Sequence, residues 1–222
     1  MAFRGFRAPA LPLAQPIYDR RQMDELLRAL RIYFNVLDSE VPIQSELFIG
    51  GGWGLIIPHI AASDSTDQRT TDDTETLVNW NTLDSGFGWT LNSPGSATAD
   101  YAGVYTIRYS LQFANTDNGQ HTTTVWLQKN GSDVANSATS FSVPARKNPS
   151  TPGFICAYSE ATFTVAVGDE IELYWATDKA DVVSPAADGV FMFHDAAQTT
   201  PFVRPAIPSA IGSITFVSAP VV

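Results

Sequence analysis

Cysteine is nearly absent from this sequence of 222 residues, which excludes a fold stabilised by disulfide bonds within the chain. Cys156 is the only cysteine, so no intrachain disulfide can form. The apolar string around it, GFICAYS, predicts a small buried side chain rather than a nucleophile.

Catalytic and metal-binding signatures are also lacking. There are three histidines, and no His-x-x-x-His, His-Glu-x-x-His or Gly-x-Ser-x-Gly string. Paired carboxylates are the one catalytic arrangement that the sequence leaves open, because their separation cannot be read from it. We therefore expect no enzyme, no catalytic residue, no metal site and no cofactor.

Charge and long apolar runs are scarce as well. Charged residues make up 16% of the chain, where about 25% is usual, and no apolar run approaches the ~18 residues of a membrane span. Pro9, Pro12 and Pro16 interrupt the region where a signal peptide would have its apolar core. With 44% hydrophobic residues, the chain can still bury a core, and we expect no membrane partner.

The charges are unevenly distributed along the chain. Residues 1–35 hold six arginines and three acids, 6 − 3 = +3, whereas residues 36–222 hold seven bases and twenty acids, 7 − 20 = −13. A body of that charge repels phosphate, so nucleic acid is not an expected partner. The basic segment suits an acidic protein surface, and a solvated tail without a partner is the alternative.

Residues 1–42 are predicted to form an anchoring arm followed by a helix. Prolines favour an extended conformation over residues 1–16, MAFRGFRAPALPLAQP. Exposed apolar groups there are explained if the arm lies on another chain. The predicted anchoring residues are Phe3, Arg4, Phe6, Arg7, Leu11 and Leu13.

The helix is predicted over residues 19–38. Asp19 can cap it, with Gln22 three residues later. Apolar residues then recur at spacings of 3, 4, 3 and 4, at Met23, Leu26, Leu30, Tyr33 and Leu37. This heptad stripe fits either association between subunits or packing on the chain's own domain.

Residues 43–76 are interpreted as a glycine-rich linker or bulged strand followed by an acidic loop. No helix follows the glycines at 50, 51, 52 and 54, so they do not form a phosphate-binding loop. Residues 61–76 contain several acids that offer oxygen ligands to calcium, but their spacing matches no known calcium loop. A solvated loop is the simpler interpretation.

Residues 77–222 are predicted to be a β-sandwich or jelly roll. Apolar residues alternate with polar ones at Tyr105, Ile107, Tyr109, Leu111 and Phe113. A second alternating stretch, Phe163, Val165 and Val167, leads to a turn at Gly168-Asp169, and Ile171, Leu173 and Trp175 follow it. Further turns are predicted at Asn118-Gly119 and Asn130-Gly131.

Two aromatic residues fall on the polar side of these strands. Trp126 is out of phase with Val125 and Leu127, and Tyr174 is out of phase with Leu173 and Trp175. Both rings should therefore point away from the core. We predict that they contribute, with the helix stripe, to an interface between subunits.

Three strings resemble the complement/tumour-necrosis-factor jelly-roll superfamily. YAGVYTIRYSLQF, VWLQKNG and VAVGDEIELYW follow one another in the order of its Gly-x-Tyr strand, its Leu-x-x-Asn-Gly turn and its Gly-Asp hairpin. The resemblance covers residues 77–217. It implies a mainly β, two-sheet jelly roll that associates as a homotrimer, here with an N-terminal arm and one short α-helix.

Two further strings resemble small structural proteins of tailed bacteriophages, particularly cyanophages. They are YDRRQMDELLRALRIYFNVLDS and RPAIPSAIGSITFVS. This resemblance implies a virion protein that decorates or cements the capsid as a trimer and contacts the major capsid protein or another virion protein. A tail-fibre or tail-tip head that binds a host glycan or protein is the alternative.

Overall fold

The computed structural model describes residues 26–28, 30–31, 57–183 and 186–219. Residues 26–28 and 30–31 are helical, as predicted, and Leu26 and Leu30 are less exposed than Leu27 and Arg28. Met23, Tyr33 and Leu37 lie outside the described residues, as do all six predicted anchoring residues. No helix among the described residues is long and apolar enough to cross a membrane.

A β-rich compact unit spans Ile57–Pro220. Its strands are β1 His59–Asp64, β2 Thr76–Leu77, β3 Thr82–Phe87, β4 Trp89–Asn92, β5 Ser96–Ala99, β6 Gly103–Asn115, β7 His121–Lys129, β8 Ser132–Asp133, β9 Thr139–Val143, β10 Gly153–Val165, β11 Glu170–Thr177, β12 Val182–Val183, β13 Ala186–Ala187, β14 Val190–Met192 and β15 Ala210–Ser218.

Most strands belong to two antiparallel sheets. The first sheet has the order β10-β6-β15-β1-β3, with β14 also paired to β6. The second has the order β4-β5-β11-β7-β8, with β2 on β11 and β9 on β7. Neighbouring strands within a sheet are mostly distant in sequence, and the chain passes repeatedly from one sheet to the other. This is a jelly-roll sandwich, and the predicted fold class is confirmed.

The two sheets enclose one hydrophobic core. Tyr105, Leu111 and Phe113 of β6 are fully buried and meet side chains of the second sheet. The Trp89 and Tyr105 rings meet edge to face at 5.0 Å, and the Phe113 and Trp175 ring centroids are 5.5 Å apart. The alternation predicted for β6 therefore identifies the inward face correctly.

Two predicted turns have the backbone geometry that their residues favour. Asn130 and Gly131 both have positive φ, 52° and 73°, as a two-residue hairpin of the mirror-image type requires. Gly168 has a φ of 83°. The two turns lie together, because the Asn130 side-chain amide donates to Asp169 at 2.8 Å.

The structure differs from the sequence-based interpretation at three places. Strand β1 begins in the stretch interpreted as a linker or bulged strand and continues into the stretch interpreted as an acidic loop, so the sandwich begins before residue 77. Cys156 is exposed rather than buried, because Ile155 and Ala157 take the inward positions on β10. Val167 is 67% exposed, because β10 ends at Val165 and the turn begins beyond it.

Candidate functional site

The outward side of the first sheet carries little charge, and we call it the neutral face. Strand register places its outward residues in rows across the sheet, such as Tyr158, Ser110 and Ile211. Its only charged side chains on these five strands are Arg108, Glu160 and Asp84. A protein of net charge −10 therefore has one broad surface with almost no net charge.

Large apolar side chains lie exposed on two strands of the neutral face, β10 and β15. Phe154 is 51% exposed, Tyr158 is 57% exposed and Ile211 is 45% exposed. Cys156 lies between the first two on the same strand, and its sulfur is 3.1 Å from the Ser110 hydroxyl. Loss of charge together with exposed aromatic groups is typical of the core of a protein–protein interface.

The free edge of β10 adjoins these residues. β10 runs for 13 residues and, among the described strands, is paired in its sheet only to β6. A long edge strand offers unpaired backbone groups to another chain, and charges or bulges usually protect it. On the outward side β10 carries one charge, Glu160, and the ladder to β6 has no bulge.

An aromatic group extends the neutral face at one end. Phe154 and Phe191 flank Ala114 in register, and the small alanine leaves room for both rings. Phe193 lies 5.2 Å from Phe154 and 6.2 Å from Phe191, centroid to centroid. The Arg69 guanidinium lies 4.3 Å over the Phe191 ring and pairs with Asp181, so the cation is already neutralised.

The ion pair between β6 and β10 on the neutral face satisfies both of its charges. Arg108 Nε donates to Glu160 at 3.0 Å, and this hydrogen bond raises the pKa of Arg108 above its usual value. The third charge, Asp84, accepts a hydrogen bond from the Ser63 hydroxyl at 3.2 Å. Because base and acid are paired with each other, the face presents no free cation.

The outward side of the second sheet has the opposite character, and we call it the acidic face. Trp126 and Tyr174 are directly paired across β7 and β11, with ring centroids 6.2 Å apart and planes 26° from parallel. Both are partly exposed and lie outside the core, as predicted from their phase. Their predicted role in a subunit interface stays a prediction.

Carboxylates surround the two rings. Asp133 accepts hydrogen bonds from Trp126 Nε1 at 2.9 Å and from the Gln128 amide at 3.0 Å. Glu170 and Glu172 lie on the same outward side of β11 as Tyr174. Burial, and next the neighbouring Glu170, raise the pKa of Glu172. Burial also raises the pKa of Tyr174, with contributions from Glu172 and Glu75.

The acids of residues 61–76 do not converge. Asp64 is buried in β1 and accepts from the Thr66 backbone amide at 2.7 Å. Asp72 accepts from the Ala180 amide at 2.8 Å, which holds its pKa below the usual value. No group of three or more metal-ligating side chains is found in the part of the chain that the structure describes.

One histidine lies between two carboxylates. His121 Nε2 is 2.8 Å from Asp117, and its Nδ1 is 3.3 Å from Asp178. The hydrogen bond from His121 lowers the pKa of Asp117. Through His121 these contacts connect the loop after β6 to the residues that follow β11, at one end of the sandwich.

Comparisons with known proteins give likeness of fold only. No family model matches the chain, and no curated protein matches it. Similar solved structures include Eiger TNF of S. frugiperda, with 16% identity over 74% of this chain and 96% of that chain and a TM-score of 0.42. The globular domain of zebrafish complement 1qA has 11% identity, over 74% and 100% of the two chains, and a TM-score of 0.41. Murine APRIL has 12% identity, over 72% and 100%, and a TM-score of 0.45.

Sequence reasoning did not find the neutral face. The string FICAYS alternates two apolar sets, so it contains no polar phase to show which set points outward. A signal was nevertheless present in this string. Phe154, Cys156 and Tyr158 are two residues apart, so they share one face of β10 whichever face is outward.

Proposed function

We propose that this protein is a non-enzymatic structural protein of a bacteriophage virion, a homotrimer that decorates the capsid and is attached through its N-terminal arm. The observation that carries the assembly part is the neutral face beside the unpaired edge of β10. The virion part is supported by the resemblance of residues 18–39 and 204–218 to phage structural proteins.

The geometry favours a closed ring of subunits over a two-fold pair. Two of the exposed aromatic side chains, Phe154 and Tyr158, lie on the edge strand β10, and the exposed Ile211 lies on the central strand β15. The edge of one subunit can therefore lie against the neutral face of the next, which is a head-to-tail contact that closes by rotation. Three subunits carry three arms, so weak individual contacts to the shell add up to lasting attachment.

Assembly is tested by placing a charge on the neutral face. Tyr158→Asp puts an unpaired carboxylate where the proposed contact excludes water, so light scattering should show the mass of one subunit instead of three. Ser142→Asp, on the outward side of the second sheet, is the matched control and should keep the trimer. A monomeric wild-type protein, or a trimer in both variants, contradicts the proposed contact.

Location is tested on virions. Gold-labelled antibody against residues 77–222 should decorate the capsid, and deletion of residues 1–16 should leave a soluble trimer that no longer joins particles. Label confined to the tail, or full incorporation of the truncated protein, overturns the decoration proposal.

A tail-fibre or tail-tip head that binds a host surface molecule is the second candidate. The observation that favours it is the exposed Trp126–Tyr174 pair, because aromatic rings also serve as recognition surfaces. Against a long fibre, the predicted helix of about twenty residues supplies a shaft of only ~30 Å. Gold at the tail would select this candidate.

A further inference from the structure

The acidic face concentrates negative charge that the described residues do not neutralise. Its strands present Glu170, Glu172 and Asp133 outward, with no basic side chain between them. Among the described residues, none of these three carboxylates lies within ion-pair distance of a cation. Glu75 adds a fourth acid close enough to influence Tyr174.

The two aromatic rings are held in place within this charge. Trp126 and Tyr174 occupy opposite positions on paired strands, and Asp133 fixes the indole through its Nε1–H at 2.9 Å. A rigid ring pair flanked by carboxylates attracts a cation in two ways, through the ring faces and through the oxygens.

We propose that the acidic face binds an arginine-bearing segment of a partner polypeptide. The guanidinium is planar and weakly hydrated, so it stacks on Trp126 or Tyr174 while its N–H groups donate to Glu172, the acid next to Tyr174 on the same side of β11. The apolar stem of arginine lies along the rings. Lysine has the charge but lacks the planar fork, so it should bind more weakly.

The hydrogen-bond inventory favours arginine over a neutral glycan. Asp133 already accepts from Trp126 and Gln128, and Glu170 already accepts from the Ser96 hydroxyl. Sugar hydroxyl groups would bind the remaining lone pairs but leave the like charges uncompensated. A cation removes that repulsion between the carboxylates on binding. The inference of an arginine site does not depend on the proposed virion role.

The test uses the full-length protein and a fluorescent peptide of four Gly-Arg repeats. Fluorescence anisotropy should show binding that weakens as salt is raised. The Glu170→Gln/Glu172→Gln double variant should weaken it about tenfold or more, and Trp126→Ala about three- to tenfold. The same peptide with citrulline in place of arginine should not bind, and a Gly-Lys peptide should bind less tightly.

The matched control is Asp67→Asn/Asp100→Asn, which removes the same charge from exposed positions away from the acidic face. It should bind the peptide as the wild type does, and unfolding temperatures should show that all variants are folded. Equal weakening by both double variants means general attraction to an acidic protein and overturns the proposal. Absence of peptide binding also overturns it, as does equal binding of the citrulline peptide. Binding of a chito-oligosaccharide instead, lost in Trp126→Ala, would overturn it in favour of a glycan site.

Discussion

Across its five strands the neutral face presents one base and two acids, whereas the acidic face presents three acids and no base around two aromatic rings. Both sheets contribute alternate residues to one core, so burial constrains their inward positions in the same way. Outward positions are free of that constraint. Their difference is the basis of the two proposals, which assign the neutral face to self-association and the acidic face to a cationic partner.

The largest expected effect is on the core that both faces share. Phe113 is 0% exposed and contacts Trp175 across the two sheets, so Phe113→Ala should lower the free energy of unfolding by about 3–5 kcal/mol. Its neighbour Gln112 points to the neutral face, and Gln112→Ala should change it by less than about 0.5 kcal/mol. Denaturation curves measure both values. Similar losses in the two variants would show that inward and outward positions are not distinct.

A chemical footprint should separate the two faces by about tenfold. Cys156 on the neutral face and Ser140 on the second sheet are both exposed in the single chain. If subunits cover only the neutral face, a maleimide should label Cys156 about ten times more slowly than Cys156→Ser/Ser140→Cys, which is ~1.4 kcal/mol of protection. Tyr158→Asp should remove most of this difference. Equal rates in the assembled proteins would show that the neutral face is uncovered.

The smallest effect concerns charge on the acidic face. Burial and Glu170 raise the pKa of Glu172, so the folded chain holds that proton more tightly than the unfolded chain does. Ionised Glu172 therefore destabilises the fold at neutral pH, and protonation relieves this as the pH falls. Glu172→Gln should raise the unfolding temperature by about 1–2 °C at pH 7, and the gain should vanish below about pH 4.

The opposite sign would show that a cation already neutralises this face. A lower unfolding temperature for Glu172→Gln at pH 7 means that the carboxylate stabilises the fold. Tyr174→Phe is a suitable control, because it keeps the ring but carries no ionisable group. It should leave the pH dependence of stability between pH 4 and pH 7 as it is in the wild type, because a tyrosine hydroxyl stays protonated over that range.

The sequence predicts the strands whose two faces differ chemically. In β6 and β11, polar residues alternate with apolar ones, so the inward side is evident from the amino-acid pattern alone. The Asn130-Gly131 turn is predicted for the same local reason, since both residues tolerate positive φ. The outward phase of Trp126 and Tyr174 follows directly from their neighbours.

Other features depend on information that no local pattern contains. Strand β1, HIAASD, has few β-branched residues and buries Asp64, so it does not resemble a strand. Its partner β15 lies some 150 positions away in the chain. The neutral face likewise arises only when β10, β6 and β15 lie side by side, because each strand contributes a few ordinary residues to it.

Strand β15 also determines when the first sheet can form. It lies between β6 and β1, so the β1–β3 pair cannot join β6 and β10 in one sheet until residues 210–218 have been synthesised. Loop closure over such separations is slow compared with hairpin formation. A nascent chain therefore has an incomplete first sheet, and the neutral face is complete only after synthesis of β15.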